Sequence, residues 1–306
     1  MTRETSPESR TYIVGGHALP VKPLAAGLYL VATPIGNLGD ISLRALETLA
    51  SADVIACEDT RVSHRLLERY GIAASLTPYH EHNAGAARPK LIERLKAGGT
   101  VALISDAGTP MISDPGYKLV RAAQEEGVTV TAIPGASSVM AALNIAGLPT
   151  DRFFFEGFLP PKQQARRTRI GDIARIPATL VLFETGPRLG DVLADLASVL
   201  GEREAAICRE LTKLHEEMRR AALPELAAHY AGDGSETRGE FVIVIAPPDQ
   251  DALAPSAEDV DGLLRRTLSE ATLKDAVAIV ADATGQPRRE IYQRALALAK
   301  TDGATE

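Results

Sequence analysis

The sequence contains few aromatic residues and very little cysteine. Of its 306 residues, 4% are aromatic, none is tryptophan and two are cysteine. Cys57 and Cys208 lie far apart in apolar, strand-like runs. This placement favours reduced thiols in the core over a disulfide or a zinc site.

Long hydrophobic runs and an excess of positive charge are also missing. No run reaches the roughly eighteen apolar residues that a membrane-spanning helix needs, and the polar beginning MTRETSPESR lacks the apolar segment of a secretory signal. We therefore expect a cytoplasmic protein without a membrane partner. The formal net charge of −7 argues against positive potential over the whole surface, but a local basic patch stays compatible with it.

Apolar segments rich in β-branched residues alternate with helical patterns, which indicates α/β layering. In the first half, strands are predicted at residues 28–33, 53–57, 101–105 and 128–133. The helices between them are predicted at residues 42–50, 61–70, 88–96 and 118–126. The pattern starts again after Pro149, with strands predicted at residues 153–156, 179–183, 204–209 and 241–245.

These patterns predict an α/β fold with two α/β domains and a small helical appendage. The domain boundaries are expected at 1–26 for a flexible N-terminal tail, 27–148, 149–248 and 249–306. A linker, PPDQDALAPSA at 247–257, spans the start of the last range, and helical patterns follow at 260–270, 273–284 and 288–299. Their size is typical of a helix-turn-helix-like bundle, and a plain packing appendage remains the alternative.

Loops rich in glycine, proline and acidic residues follow four predicted strands of the first half. They are TPIGNLGD at 33–40, EDTR at 58–61, SDAGTPMISDPG at 105–116 and PGASS at 134–138. Ligands of parallel α/β sheets bind at the carboxyl ends of strands, so four such loops predict a ligand site at one sheet edge. Neither G-x-G-x-x-G nor a P-loop motif occurs, so the strongest signals for NAD and ATP are absent.

These loops, together with GFLP at 157–160 and ELTK at 210–213, resemble the ribosomal RNA small subunit methyltransferase I family. The family belongs to the tetrapyrrole methylase superfamily, and the likeness runs from about residue 28 to residue 245. The resemblance implies S-adenosylmethionine as methyl donor in the cleft between two domains, and a homodimer. It also implies methylation of the ribose 2′-hydroxyl of a cytidine in small-subunit ribosomal RNA.

The resemblance also implies which residues bind the cofactor. They are Pro34, Asp106, Ala107, Gly108, Thr109, Ile112, Ser137, Ser138, Glu184 and Leu211. Loops with Gly and Pro let the backbone come close to such a ligand, and we interpret Asp106 as a positioning group. The chain departs from its relatives at Ala136, where Pro is frequent, and at Arg238, where Lys is more usual.

Transfer to a hydroxyl requires an aligned oxygen and an acceptor for its proton. Polar clusters at the strand ends lead us to predict Asp59, Arg61 and Lys213 as catalytic, with ion pairs between the domains as the alternative. The other candidates for the base are Glu58, Asp106, Asp114, His80 and His82. We expect no metal, because the two histidines lack a partner carboxylate at ligand spacing.

An RNA substrate should meet positive charge. A predicted RNA-facing cluster consists of Lys162, Arg166, Arg167, Arg169 and Arg175, and a second group consists of Arg61, Arg65 and Arg69. One alternative is a sister enzyme that methylates a tetrapyrrole carbon or a modified histidine, as in diphthine synthesis. Another is a non-catalytic regulator that binds S-adenosylmethionine. Whether the substrate is free RNA or the assembled small ribosomal subunit stays open.

Overall fold

The computed structural model describes residues 10–113, 116–232, 238–249 and 257–302. In these ranges the strands are β1 Thr11–Val14, β2 His17–Pro20, β3 Gly27–Val31, β4 Val54–Cys57, β5 Leu76–Pro78, β6 Thr100–Ile104, β7 Val130–Ile133, β8 Phe153–Phe158, β9 Thr179–Thr185, β10 Glu204–Arg209, β11 Glu217–Ala222 and β12 Glu240–Ile245. The helices in the same ranges are α1 Leu43–Ser51, α2 Thr60–Arg69, α3 Ala84–Lys96, α4 Tyr117–Glu125, α5 Ser138–Ala146, α6 Gln163–Ile173, α7 Gly186–Leu200, α8 Leu223–Tyr230, α9 Ala257–Leu268, α10 Leu273–Thr284 and α11 Arg288–Asp302.

The first half of the described chain folds around a parallel sheet with the strand order β5-β4-β6-β3-β7. Strand β6 is buried along its whole length, as expected for a parallel strand that helices cover on both faces. Successive side chains of a strand point to opposite faces. Accordingly, Val101 and Leu103 pack with α3 and α4, whereas Ala102 and Ile104 pack with α1 and α2.

A second, mixed sheet has the strand order β11-β10-β12-β9-β8 among the described residues. Only β8 and β9 pair in parallel there, and the other neighbours are antiparallel. Helices α6, α7 and α8 pack on one face of this sheet. Helix α5 covers the other face with Val139, Ala142 and Leu143. The two-layer α/β fold predicted from the sequence is therefore present, and α5 connects the layers.

A β-hairpin at residues 11–20 lies within the range 1–26, for which the sequence suggested a flexible tail. Strands β1 and β2 pair across Gly15 and Gly16, both in the left-handed region at φ +58° and +84°, as a tight hairpin turn requires. Tyr12 is buried in the first-sheet core, and the Ile13 N–H donates to the carbonyl of Tyr70 over 2.8 Å. The expectation of a flexible tail is therefore wrong for residues 10–26.

The last helices form a small core of their own. Helices α9, α10 and α11 pack around Val260, Leu264, Val280 and Ile291. An ion pair of 2.8 Å between Arg175 and Asp259 links this unit to the end of α6. Most of the predicted linker falls on residues 250–256, outside the described residues. Within the described ranges, no helix has the length and apolar character needed to cross a membrane.

Candidate active site

Hydrogen bonds join the four predicted loops at the carboxyl edge of the first sheet. Thr33 and Gly108 exchange two backbone hydrogen bonds of 2.9 and 3.1 Å. The Thr109 hydroxyl donates to the carbonyl of Ala136 over 3.3 Å, and the Asp59 N–H donates to the Asp106 carboxylate over 3.0 Å. The loops therefore form one connected surface, as their positions after neighbouring strands predicted.

Gly108 lies at a close contact between two of these loops. Its φ of +77° is in the left-handed region, which side chains other than glycine adopt only at a cost. A Cβ at this position would lie 3.2 Å from a methyl carbon of Ile35. The glycine thus permits both the backbone turn and the contact between the loops.

The end of the second sheet brings three carboxylates towards this surface. The register places Glu184 of β9 opposite Phe241 of β12, and Phe241 is also opposite Arg209 of β10. Glu184, Glu210 and Glu240 therefore lie at the same end of the sheet. This convergence depends on strand pairing and has no signal in the local sequence.

Lys213 joins two of these carboxylates. Its ammonium group donates to Glu210 over 2.9 Å and to Glu240 over 2.8 Å. Burial opposes the charge of Lys213, but the hydrogen bonds to Glu240 and Glu210 outweigh it and raise the pKa of the ammonium group. The Lys213 side chain also lies over Gly36, where a Cβ would overlap with its Cγ. Lys213 therefore bridges the loops of the first sheet and the end of the second.

The backbone of the ELTK segment is strained on both sides of Leu211. Glu210 and Thr212 have φ values of +49° and +67°, a conformation that costs residues other than glycine about 1–3 kcal/mol each. The Glu210 carboxylate accepts the N–H of Glu240 over 2.9 Å, which helps to hold the turn in place. The strained turn directs Leu211 into a cavity between the two layers.

This first cavity has a volume of about 240 Å³. The predicted site residues in its lining are Ala107, Gly108, Thr109, Ile112, Ser137, Ser138, Glu184, Leu211 and Lys213. Sequence reasoning missed several further lining residues, namely Ile35, Phe158, Phe183, Glu210, Glu240 and Val242. Phe158 and Phe183 contact each other edge to face with ring centroids 5.7 Å apart, and they supply an apolar wall.

Glu184 is the most buried carboxylate of the first cavity. One of its oxygens accepts the Thr185 N–H over 2.8 Å. The other oxygen lies 3.3 Å from the guanidinium of Arg188 but makes no hydrogen bond of normal geometry among the described residues. Burial raises the pKa of Glu184, and the bond from Thr185 and the charge of Arg188 oppose this only in part. The second oxygen of Glu184 is therefore buried, with Arg188 as its nearest charged neighbour.

A second cavity of about 330 Å³ adjoins the first. It contains Pro34 and Asp106 from the predicted site, and it shares Ile35, Ala107, Lys213 and Glu240 with the first cavity. The predicted cofactor residues are thus divided between two neighbouring cavities. Lys213 and Glu240 stand at the wall between them.

Asp59 and Arg61 lie outside the linings of both cavities. Asp59 caps α2 by accepting the Arg61 N–H over 2.8 Å, and it forms an ion pair of 2.6 Å with the Arg61 side chain. The side-chain and backbone hydrogen bonds from Arg61 lower the pKa of Asp59 to about 2. The pair therefore has a structural role as a helix cap, which the sequence analysis did not recognise. A catalytic role for it stays a prediction.

The other candidate bases surround the same edge of the sheet. Burial and the charge of Asp106 raise the pKa of Glu58, while His80 opposes this rise. The rings of His80 and His82 are 6.1 Å apart, and Asp114 lies outside the described residues. Among the described residues, no group of three or more potential ligands is arranged to hold a metal ion.

Comparison with known proteins assigns the chain to a family. Residues 27–227 match the family profile described as Tetrapyrrole (Corrin/Porphyrin) Methylases, and residues 254–299 match the RsmI C-terminal HTH domain. The Ribosomal RNA small subunit methyltransferase I of Mesorhizobium japonicum is 51% identical over 292 residues, which are 95% of this chain and 98% of that protein. The chain belongs to the ribosomal RNA small subunit methyltransferase I family. The family predicted from the loop motifs is therefore confirmed.

One further relative supports the family assignment, and one solved structure supports the fold. The Ribosomal RNA small subunit methyltransferase I of Pseudomonas aeruginosa is 46% identical over 277 residues, covering 89% of this chain and 97% of that protein. The uroporphyrin-III C-methyl transferase of Thermus thermophilus, solved in complex with S-adenyl homocysteine, is 22% identical with a TM-score of 0.50. That match covers 72% of this chain and 97% of the solved one, and it supports the fold alone.

The basic cluster predicted to face RNA is largely neutralised in this member of the family. Arg166 is 5% exposed and forms an ion pair of 2.7 Å with Asp195. Arg169 donates two hydrogen bonds of 2.6 and 2.7 Å to Glu156. The prediction of an RNA-facing surface is wrong for Arg166, because its side chain is buried against Asp195. Asp195 lies 29 residues away in sequence, so only the fold reveals the pairing.

Replacing Arg166 by Met is expected to lower the free energy of unfolding by about 3 kcal/mol. The change leaves Asp195 buried without its main partner, which costs about 3–5 kcal/mol in other proteins; Gln163 and Arg167 still contact this carboxylate. Urea denaturation measures the loss. The control Arg121→Met removes an exposed pair with Glu125 and should cost less than about 1 kcal/mol. Equally small losses in both variants would contradict a stabilising buried pair.

Proposed function

We propose that this ribosomal RNA methyltransferase transfers the methyl group of S-adenosylmethionine to the 2′-hydroxyl of a cytidine in small-subunit ribosomal RNA. The observation that carries the proposal is that residues of the family motifs from both layers line one cavity, with Gly108 and Ser137 on one side and Glu184 and Leu211 on the other. A porphyrin or diphthine reaction has weaker support, because similarity at 22% identity concerns the fold alone.

We infer that the first cavity holds S-adenosylmethionine, because its residues fit the different parts of that molecule. Phe158, Phe183 and Val242 offer apolar surface for an adenine. The left-handed backbone at Gly108 allows close approach of a ligand to the loop. Ser137 and Thr109 offer hydroxyl groups in the same lining for hydrogen bonds to the polar atoms of the ligand.

The residues at the wall between the cavities can stabilise developing charge and accept a proton during methyl transfer. Bound S-adenosylmethionine supplies a methyl group on a positively charged sulfur. Lys213 keeps its proton, because its pKa is raised, so its part is to stabilise negative charge developing on the acceptor oxygen. The Glu240 side chain is 76% exposed and reaches Lys213 from the edge of the cleft. It is our candidate for the group that receives the hydroxyl proton.

We also propose that residues 257–302 act as a separate unit that contacts the ribosomal substrate. The separate core of α9, α10 and α11 supports this division, and so does the match of residues 254–299 to a helix-turn-helix domain. Assembly into a homodimer stays a prediction, and the choice between free RNA and the assembled small subunit stays open.

The test of the proposed function is transfer of label from methyl-labelled S-adenosylmethionine to undermethylated small ribosomal subunits. We expect the label in ribosomal RNA, on a cytidine whose 3′ phosphodiester resists alkaline hydrolysis, because a methylated 2′-oxygen cannot attack the neighbouring phosphate. Particles that already carry the modification should accept no label. Label on a base, or transfer to a tetrapyrrole alone, would contradict the proposal.

A further inference from the structure

The second cavity extends beyond the first one, and of the predicted cofactor residues its lining contains only Pro34, Asp106 and Ala107. It lies between the loop at residues 33–38, the start of α2 and the loop that begins at Ser105. Its mouth contains two apolar side chains that remain unusually exposed, Leu38 at 42% and Val62 at 39%. Exposed apolar groups that continue into a largely apolar cavity are typical of a surface that receives a ligand.

The lining of the second cavity has the mixed chemistry of a nucleotide. Leu38, Val62 and Leu66 form an apolar side, on which a flat base can pack. Ser105 and Asp106 offer polar atoms on the opposite loop, suitable for the hydroxyls of a sugar.

The second cavity also has a positively charged side chain, Arg65, that can bind a phosphate. Arg65 has no ion pair among the described residues, unlike Arg61, which is held by Asp59. Arg65 and Arg69 are separated by four positions on α2 and therefore lie on one face of the helix. Their guanidinium groups are suited to a backbone that leaves the cavity along α2.

The position of the second cavity relative to the first indicates which ligand it can bind. They meet at Ile35, Ala107, Lys213 and Glu240. Methyl transfer requires the acceptor oxygen to approach the methyl carbon from the side opposite the sulfur. With the donor in the first cavity, an acceptor held in the second cavity can reach the methyl group across this shared wall.

The geometry points to the second cavity as the site of the acceptor nucleotide, with its base against Leu38 and Val62 and its phosphate at Arg65. This inference rests on the proposed function, because it takes the first cavity as the donor site. The acceptor hydroxyl is then next to Lys213 and Glu240. Specificity for the target nucleotide resides in the loop at residues 33–38 and in α2, instead of the segment at residues 162–175.

The variant Val62→Trp tests the inference by filling the mouth of the second cavity from an exposed position of α2. Its affinity for undermethylated small ribosomal subunits, measured by filter binding without cofactor, should fall at least tenfold. Methyl transfer at subsaturating subunit concentration should fall by at least the same factor. Calorimetric affinity for S-adenosylmethionine should stay within about twofold, because Val62 is absent from the lining of the first cavity.

The matched control is His64→Trp, an equally bulky change on α2 at a residue that lines neither cavity. It should leave both affinities and transfer within about twofold. A second variant, Arg65→Gln, should weaken subunit binding and reduce its salt slope by about one. Normal subunit binding by Val62→Trp and an unchanged slope in Arg65→Gln would overturn the inference. Failure of the unmodified protein to methylate a ribose would instead refute the proposed function.

Discussion

Replacing Gly108 by Val is expected to lower the affinity for S-adenosylmethionine at least tenfold, which corresponds to about 1.4 kcal/mol. At φ +77° the new side chain strains the backbone, and its Cβ lies 3.2 Å from Ile35, which lines both cavities. The variant must either move Ile35 or break the two backbone hydrogen bonds between Thr33 and Gly108. Isothermal titration calorimetry measures the loss.

The control for this variant is Gly98→Val. Gly98 has a similar φ of +83°, but a Cβ there would have no neighbour within 4 Å, and the residue lines neither cavity. Both variants should show comparable destabilisation from backbone strain, and only Gly108→Val should lose cofactor affinity. Unchanged affinity in folded Gly108→Val would exclude the first cavity as the cofactor site.

Replacing Lys213 by Met is expected to lower kcat about 100-fold, because it removes the cation at the wall between the cavities. Met retains much of the apolar length that lies over Gly36. The change leaves Glu210 and Glu240 close together without the ammonium group that joins them. Steady-state transfer to small ribosomal subunits measures kcat, and calorimetry should show an affinity for S-adenosylmethionine within about fivefold of the original.

Lys96→Met is the matched control for this change. Lys96 forms an ion pair of 2.6 Å with Glu126 on the surface, and the residue lies outside both cavities. Its kcat should equal that of the unmodified protein. A Lys213→Met enzyme with normal kcat would remove Lys213 from the reaction and leave it as a link between the layers.

The pH dependence of transfer should report a group other than Lys213. Its hydrogen bonds to Glu240 and Glu210 outweigh burial and hold the pKa of Lys213 above the usual 10.5. The charged bridge is therefore complete in the neutral range and is lost only as the pH rises through that elevated value. A rise of kcat with pH near neutrality would therefore not arise from Lys213.

Neutralisation of the 162–175 segment changes where RNA is expected to approach. Arg166 and Arg169 are committed to Asp195 and Glu156, so their charges are matched within the second layer. Arg65 has no such partner among the described residues and lies at the second cavity. In an acidic protein, the position of an unpaired cation is more informative than the number of cations in a segment.

The sequence by itself determined the features that depend on neighbouring residues. The buried run at β6 and the glycine-containing loops after β3 and β7 are local patterns, and the predicted helix at 273–284 has the same bounds as α10. The loop motifs were also sufficient for the family, and nine of the twenty residues that line the first cavity were among the predicted site residues. Such signals are readable because backbone geometry and capping act within a few positions.

Only the tertiary structure decided which distant side chains meet. Lys213 forms a hydrogen bond with Glu240, which lies 27 residues further along the chain. Arg166 pairs with Asp195, which lies 29 residues further along. Asp59 was indistinguishable from a catalytic acid in the sequence, yet it caps α2 outside both cavities. Pairings of this kind follow from strand register and from the packing of the two layers. The order of residues along the chain therefore does not specify by itself which charges are neutralised and which remain available to a substrate.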